Sequence, residues 1–311
     1  MVVFISTASG VLGLGIRGRL HSVGTSAFPQ SIRYAAGSPL FWPSRPLLPR
    51  LQQPMASSDA MSSSSSPSAT IVPTPPAASV ELPSAAHGRA RELLTFWFGT
   101  SEPLSPYATT PQQANTLWFA SGDAADAADA MIKDRFAADV EAALAADEAY
   151  MALAYGPDVS PWSALALVLL LDQLPRALYR GTARAFSGDP AGLAAAKHML
   201  APGANGRPAL VDGLPWVTRM FAVMPLMHAE NVDDVRRCVD TFSSMADTLK
   251  AHGEPAEKVR QVLSSSASFG RKHLDIVERF GRYPYRNKVL GRETTPDEEA
   301  WMAEGGDSFG Q

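Results

Sequence analysis

Apolar residues in this chain recur every four positions, and no segment alternates apolar and polar with a period of two over useful length. Ile132, Phe136, Val140 and Leu144 form one such series within residues 126–147. Val235, Cys238, Val239, Phe242, Met245 and Leu249 form another. Both spacings place the apolar side chains on one face of a helix and exclude a half-buried strand. ARELLTFWF (90–98) reads as a shorter helix ended by Gly99. The run ALALVLLL (164–171) reads as a central helix buried all round, because it follows a cap and continues into DQLPRALYR. The expected fold class is therefore all-α, a multi-helix antiparallel array.

Local chemistry marks where these helices start and stop. Ser160-Pro161, Asp189-Pro190 and Thr295-Pro296 each put a capping oxygen before a proline, which suits the first helical position because its missing N–H would be unpaired there anyway. Glu298 completes a capping box with Thr295. Pro175 lies inside the central helix and should kink or end it where Asp172 and Gln173 stand. Pro225 should break the helix before His228 and Glu230, leaving both at the start of the next one. Helix pairs of roughly 35–45 residues are suggested, without a repeated residue pattern.

The first 85 residues differ in composition from the rest. Residues 1–58 contain five arginines and no Asp or Glu, and residues 56–85 are mostly Ser, Pro and Ala. Such a stretch buries too little apolar surface to offset chain entropy, so 1–85 is expected to be a disordered targeting or low-complexity extension and 86–311 one helical domain. The acid-free, Arg-bearing start fits an organelle transit peptide, mitochondrial in first place and plastid in second. Met55 opens a second start that gives a cytoplasmic form. VLGLGI is too short to span a membrane. The chain carries −4 overall and the extension five arginines against Asp59 and Glu81, so the remainder stands at −7. That acidity excludes general nucleic-acid binding. A single cysteine, Cys238, excludes an intramolecular disulfide and a cysteine metal cluster, and its place on an apolar face marks it as a core thiol. No His spacing fits zinc, and the P-loop, HExxH, strand-linked GxGxxG and nucleophile-elbow patterns are absent, so neither metal nor cofactor is expected.

Three stretches carry chemistry. In LDQLPRALYRGTARAF (171–186), Asp172 ends an apolar run and Arg176, Arg180 and Arg184 follow at four-residue spacing. A carboxylate there must be paired, so this is either an arginine cluster presented to an anion or a buried ion-pair network that fixes packing. In FAVMPLMHAEN (221–231), His228 titrates near neutrality and Glu230 could hold its tautomer, or could complement a helix N-terminus instead. The stretch 271–292 holds seven basic residues opposed only by Asp275 and Glu278, interleaved with His273, Phe280, Tyr283 and Tyr285. His273 falls on the apolar face and reads as a core histidine with one hydrogen bond. Arg279, Arg282 and Arg286 flank a tight turn where a carboxylate or phosphate could be held bidentately, or where they clamp helix-end carbonyls.

The strings LALVLLLDQLPRALYRGTARAF, MPLMHAE and HLDIVERFGRYPYRNKVLGRETTPDEEAWM, with FWFG near residue 98 and LWF at 117–119, resemble the bacterial domain-of-unknown-function 924 family over roughly 88–309. The resemblance implies a tetratricopeptide-like helical fold and no reaction. Tyr285 stands where the family pattern implies a histidine, so a mechanism needing a histidine in that turn is not expected here.

Three functions follow as expectations. The first is a cleft for a small anionic ligand, lined by Asp172, Arg176, Arg180, Arg184, His228, His273, Arg279, Arg282 and Arg286. The second is a helical scaffold for a protein partner, with an exposed aromatic patch around Trp97, Trp118 and Trp216. The third is a hydrolase- or transferase-like enzyme at the same place, with His228, Glu230 and Asp172 as catalytic candidates.

Overall fold

The structure is a computed structural model that describes residues 88–100, 104–109 and 111–309. The Arg-bearing segment read as a targeting sequence, the low-complexity stretch and the second start at Met55 all lie outside the described residues. Among the described residues there are twelve α-helices and no β-strand, in an antiparallel-like array. The periodicity alone predicts this class.

Helix α1 (Gly88–Phe98) stops at Gly99, whose φ of +74° only glycine adopts without strain. Helix α2 (Pro111–Gln113) passes into a π-helical turn at Ala114–Trp118. Helix α3 (Asp123–Leu144) carries the first four-residue series, and Ile132, Phe136 and Val140 on it are buried. Helix α4 (Glu148–Tyr155) starts where the Asp147 carboxylate accepts from Ala149 N–H. Helix α5 (Pro161–Val168) opens on a capping box between Ser160 and Ser163, runs through a π-helical turn at Leu169–Gln173 and continues as α6 (Leu174–Leu178). Then come α7 (Asp189–Leu200), α8 (Trp216–His228), α9 (Val232–Leu249), α10 (Glu254–Phe280), α11 (Asn287–Leu290) and α12 (Pro296–Ala303).

Every residue from Trp162 to Asp172 is buried, and so is every residue from Trp216 to Met227. Helices α5 and α8 are thus buried all round, as the first of them is expected to be. Each leucine so buried contributes on the order of 1.5–3 kcal/mol against the entropy of ordering the chain. Helices α9 and α10 present one apolar face each, α9 through Val235, Cys238, Val239, Phe242, Met245 and Leu249. Burial raises the Cys238 thiol above its usual range, so it stays protonated. Gly281, in the left-handed conformation with φ +68°, ends α10.

Two expectations need correction. Pro225 does not break its helix; α8 runs through it to His228. A proline costs one backbone hydrogen bond, but the uninterrupted burial of α8 offsets that loss and keeps the helix. The aromatic patch expected around Trp97, Trp118 and Trp216 is also not on the surface. Trp97 and Trp216 are buried, Trp118 packs against the same core, and its indole N–H donates to the Trp97 carbonyl at 2.9 Å. Among the described residues, the large hydrophobic side chains left exposed are Met131 and Tyr155. No helix among them is long and apolar enough to cross a membrane.

Candidate functional site

The site begins with a backbone irregularity. Pro175 has no N–H to give, and its ring conflicts with a helical carbonyl four residues back. The chain responds by widening into the π-helical turn Leu169–Gln173, a feature common where a helix carries function. The widened turn is packed by the start of α7. At Gly188 a Cβ would collide with the Leu171 carbonyl oxygen, so only glycine allows this approach. Asp172 therefore lies fully buried against the N-terminus of α7 and the C-terminus of α8.

Asp172 is surrounded by nitrogen-bearing side chains. His228 Nδ1 lies 2.7 Å from Oδ1, and Gln173 Nε2 donates to Oδ2 at 2.5 Å. Arg176 Nη1 donates to the Asp172 carbonyl at 2.5 Å and stands 3.8 Å from Oδ1. Burial raises the Asp172 carboxyl, but the charges and hydrogen bonds around it outweigh that and hold it below the usual carboxylate range. Burial is also the largest influence on His228, which it lowers, with Asp172 opposing and Arg176 reinforcing, so the neutral ring is favoured.

A second carboxylate joins two arginines. Arg176 Nη2 approaches Asp189 Oδ1 at 2.9 Å, as an ion contact whose angle falls short of a hydrogen bond. Arg286 Nη1 donates to Asp189 Oδ2 and to the His228 carbonyl, both at 3.1 Å. Rings crowd the Arg286 guanidinium, with centroids at 4.5 Å for Phe186, 4.6 Å for Tyr283 and 5.8 Å for Tyr285. Arg286 is buried, and its Nε makes no hydrogen bond. Glu230 closes the edge of this group. It accepts from Arg292 at 2.6 and 2.9 Å and from Tyr283 N–H at 2.9 Å. Burial raises the Glu230 carboxyl, and these donors outweigh it.

The structure brings Asp172, Arg176, His228 and Arg286 together. Arg180, Arg184, Arg279 and Arg282 are not part of that cluster and have carboxylates of their own. Arg180 pairs with Asp129 at 2.8 Å and Arg279 with Asp297 at 2.7 Å, both as exposed pairs, and Arg184 pairs with Glu141. Arg282 takes Glu298 bidentately at 2.6 and 2.8 Å, while Glu298 also closes the capping box with Thr295. His273 is buried as a core histidine. Its Nδ1 lies 3.0 Å from the Phe269 carbonyl, its ring stacks on Phe309 at 3.7 Å, and burial lowers its pKa to about 3. The N-terminus of α9, which Glu230 precedes, is capped by the Asn231 side chain.

Asp189, whose place before Pro190 suggests a helix cap, is the first residue of α7 and makes no cap; its carboxylate bridges Arg176 and Arg286. Phe186 and Arg292 were also outside the expected site. A groove of about 420 Å³ with a mixed polar and apolar lining lies elsewhere, between α9 and α10, and is bordered by Ser243, Ala246, Asp247, Ala267, Arg271 and Lys272 among others. Among the described residues, no group of three or more His, Cys, Asp and Glu side chains could hold a metal ion.

Fold and cluster together define an all-helical protein whose centre is a buried carboxylate, imidazole and guanidinium assembly. A family model described as bacterial protein of unknown function (DUF924) matches residues 93–306, and the chain belongs to that family. A solved structure of a protein of unknown function from Agrobacterium tumefaciens is similar at 28% identity and a TM-score of 0.49; the match covers 71% of this chain and 100% of that one. No curated protein matches the chain.

Proposed function

We propose that the protein binds a small anionic molecule at the cluster of Asp172, Arg176, His228 and Arg286. The observation that carries this reading is Arg286. Its guanidinium is buried, its faces are crowded by aromatic rings, and its Nε–H makes no hydrogen bond. A buried donor without a partner costs about 1–3 kcal/mol, more on a charged group, and an oxyanion would relieve that cost. Phosphate, sulfate, acetate and glycolate, titrated calorimetrically into the full chain, test the reading. At least one should bind, and Arg286→Lys, which keeps the charge but loses the planar fork, should weaken it at least tenfold. No heat with any of the four, or equal affinity in Arg286→Lys, refutes the assignment.

A second reading is an enzyme with His228 as general base. Asp172 accepting from Nδ1–H leaves Nε2 as the basic nitrogen, and the arginines would stabilise negative charge developing on a bound substrate. Turnover of phosphorylated or carboxylated compounds, lost in His228→Ala, supports this reading. Activity that persists unchanged in that variant removes it.

A further inference from the structure

The hydrogen positions around Asp172 restrict which anions the site prefers. The Asp172 side chain meets two fixed donors, Gln173 Nε2 on Oδ2 and the Arg176 guanidinium beside Oδ1, and it is held below the usual carboxylate range. A carboxyl held in this way stays ionised and has no hydrogen to give to His228 Nδ1. The hydrogen on the 2.7 Å contact therefore belongs to His228 Nδ1. The residue is pinned from the other side as well, because its carbonyl accepts from Arg286 Nη1 at 3.1 Å. The charged groups around this ring are Asp172 and Arg176 from the π-helical turn and α6, Asp189 from α7, and Arg286 from the turn before α11.

With Nδ1–H fixed on Asp172 and the ring neutral, Nε2 carries a lone pair. Among the described residues no protein donor meets it; the hydrogen bonds of His228 go to Asp172 and Arg286, and 12% of its side chain remains exposed. An oxyanion with no hydrogen of its own would set oxygen lone pairs against this nitrogen. An oxyanion that carries a hydroxyl hydrogen would donate it there while its charged oxygens meet the arginines.

Resting on the anion-binding reading above, we infer that the ligand is an oxyanion bearing its own O–H donor, either a phosphate that retains a proton or a 2-hydroxy carboxylate. Two matched pairs separate this from anion binding in general. Hydrogen phosphate and sulfate have the same shape and can carry the same charge, but only the first has a hydrogen. Glycolate and acetate differ by one hydroxyl. One satisfied hydrogen bond at a largely buried acceptor, set against lone-pair repulsion, predicts roughly a tenfold to hundredfold preference for the first member of at least one pair.

The test is calorimetric titration of the full chain at pH 7.5 with all four anions, repeated on Asp172→Asn. An asparagine can offer N–H to Nδ1 and so move the ring hydrogen to Nε2, which would erase or invert the preference. A preference in the phosphate pair alone assigns the ligand as a phosphate, and in the glycolate pair alone as a hydroxy acid. Equal affinities within both pairs overturn the inference and leave anion binding standing. No binding of any of the four overturns both. A preference that survives in Asp172→Asn also overturns the inference, since it would not depend on the tautomer. If Asp172→Asn fails to fold, the nitrogen shifts of His228 in the wild-type chain decide the matter. They must show Nδ1 protonated and Nε2 bare, and the opposite assignment overturns the inference.

Discussion

Lowering the pH should weaken this protein in a way traceable to one ring. His273 is 2% exposed, stacks on Phe309 and has a pKa lowered to about 3 by burial. In the unfolded chain the same ring has a pKa of about 6.5. Between these values the unfolded state binds a proton that the folded state refuses, so stability is complete above about pH 6.5 and falls as the pH drops towards 3. At pH 5.0 the loss is about 2 kcal/mol, and it stays near that for any folded value below about 4, which makes the prediction insensitive to the depth of the shift. For a domain of this size that corresponds to a fall of roughly 4–8 °C in melting temperature. Urea unfolding at pH 7.5 and 5.0 should be compared for the wild type and for His273→Asn, whose amide can keep the hydrogen bond to the Phe269 carbonyl. His228 is lowered too and contributes a slope of the same sign in both proteins, so the difference between them isolates His273. The wild type should lose about 2 kcal/mol more than the variant. A differential loss under about 0.5 kcal/mol, or a His273 ring signal that titrates near pH 6 in the folded protein, refutes the reasoning.

Other perturbations follow from the same geometry. Gly188→Ala should cost about 1–3 kcal/mol in chemical denaturation, because its Cβ must displace the Leu171 carbonyl of the π-helical turn; a neutral result would mean that turn is loosely held. Asp189→Ala removes the carboxylate shared by Arg176 and Arg286 and should cost about 3 kcal/mol, with sulfate raising its melting temperature more than that of the wild type. An equal response to sulfate would show that the two arginines do not depend on Asp189. Arg180→Ala breaks an exposed pair with Asp129, so it should change stability by less than about 1 kcal/mol and leave anion affinity untouched in the same titrations.

The fold was legible because its determinants are local. The four-residue series on α3 and α9, the boxes at Ser160 and Thr295 and the stop at Gly281 each depend on residues within one or two turns of each other. The disturbance at Asp172 was legible for the same reason, since Pro175 acts on the carbonyl four residues back. Of the four clustered residues, Asp172 and Arg176 stand on such a local signal, whereas His228 and Arg286 are expected from residue type and not from any signal of their contacts. The partners of the other arginines are far away in sequence: 51 residues separate Arg180 from Asp129, and 43 separate Arg184 from Glu141. Even Arg176 and Arg286 meet through Asp189, which sits 97 residues from the second of them. An aspartate before a proline reads as a cap in isolation, and only the packing of α7 on the widened turn gives its carboxylate different work. Pro225 shows the converse, a strong local signal overridden because all its neighbours in α8 are buried.

The lone cysteine makes this fold its own reporter. Cys238 has no exposure, and its sulfur faces Gly270 across the contact between α9 and α10, at 3.8 Å from where a Cβ would stand. A thiol reagent cannot reach it unless those two long helices part, and no other sulfhydryl in the chain competes for label. The rate of its alkylation is therefore a clock for the opening of the helical array, readable on the native sequence without any engineered probe.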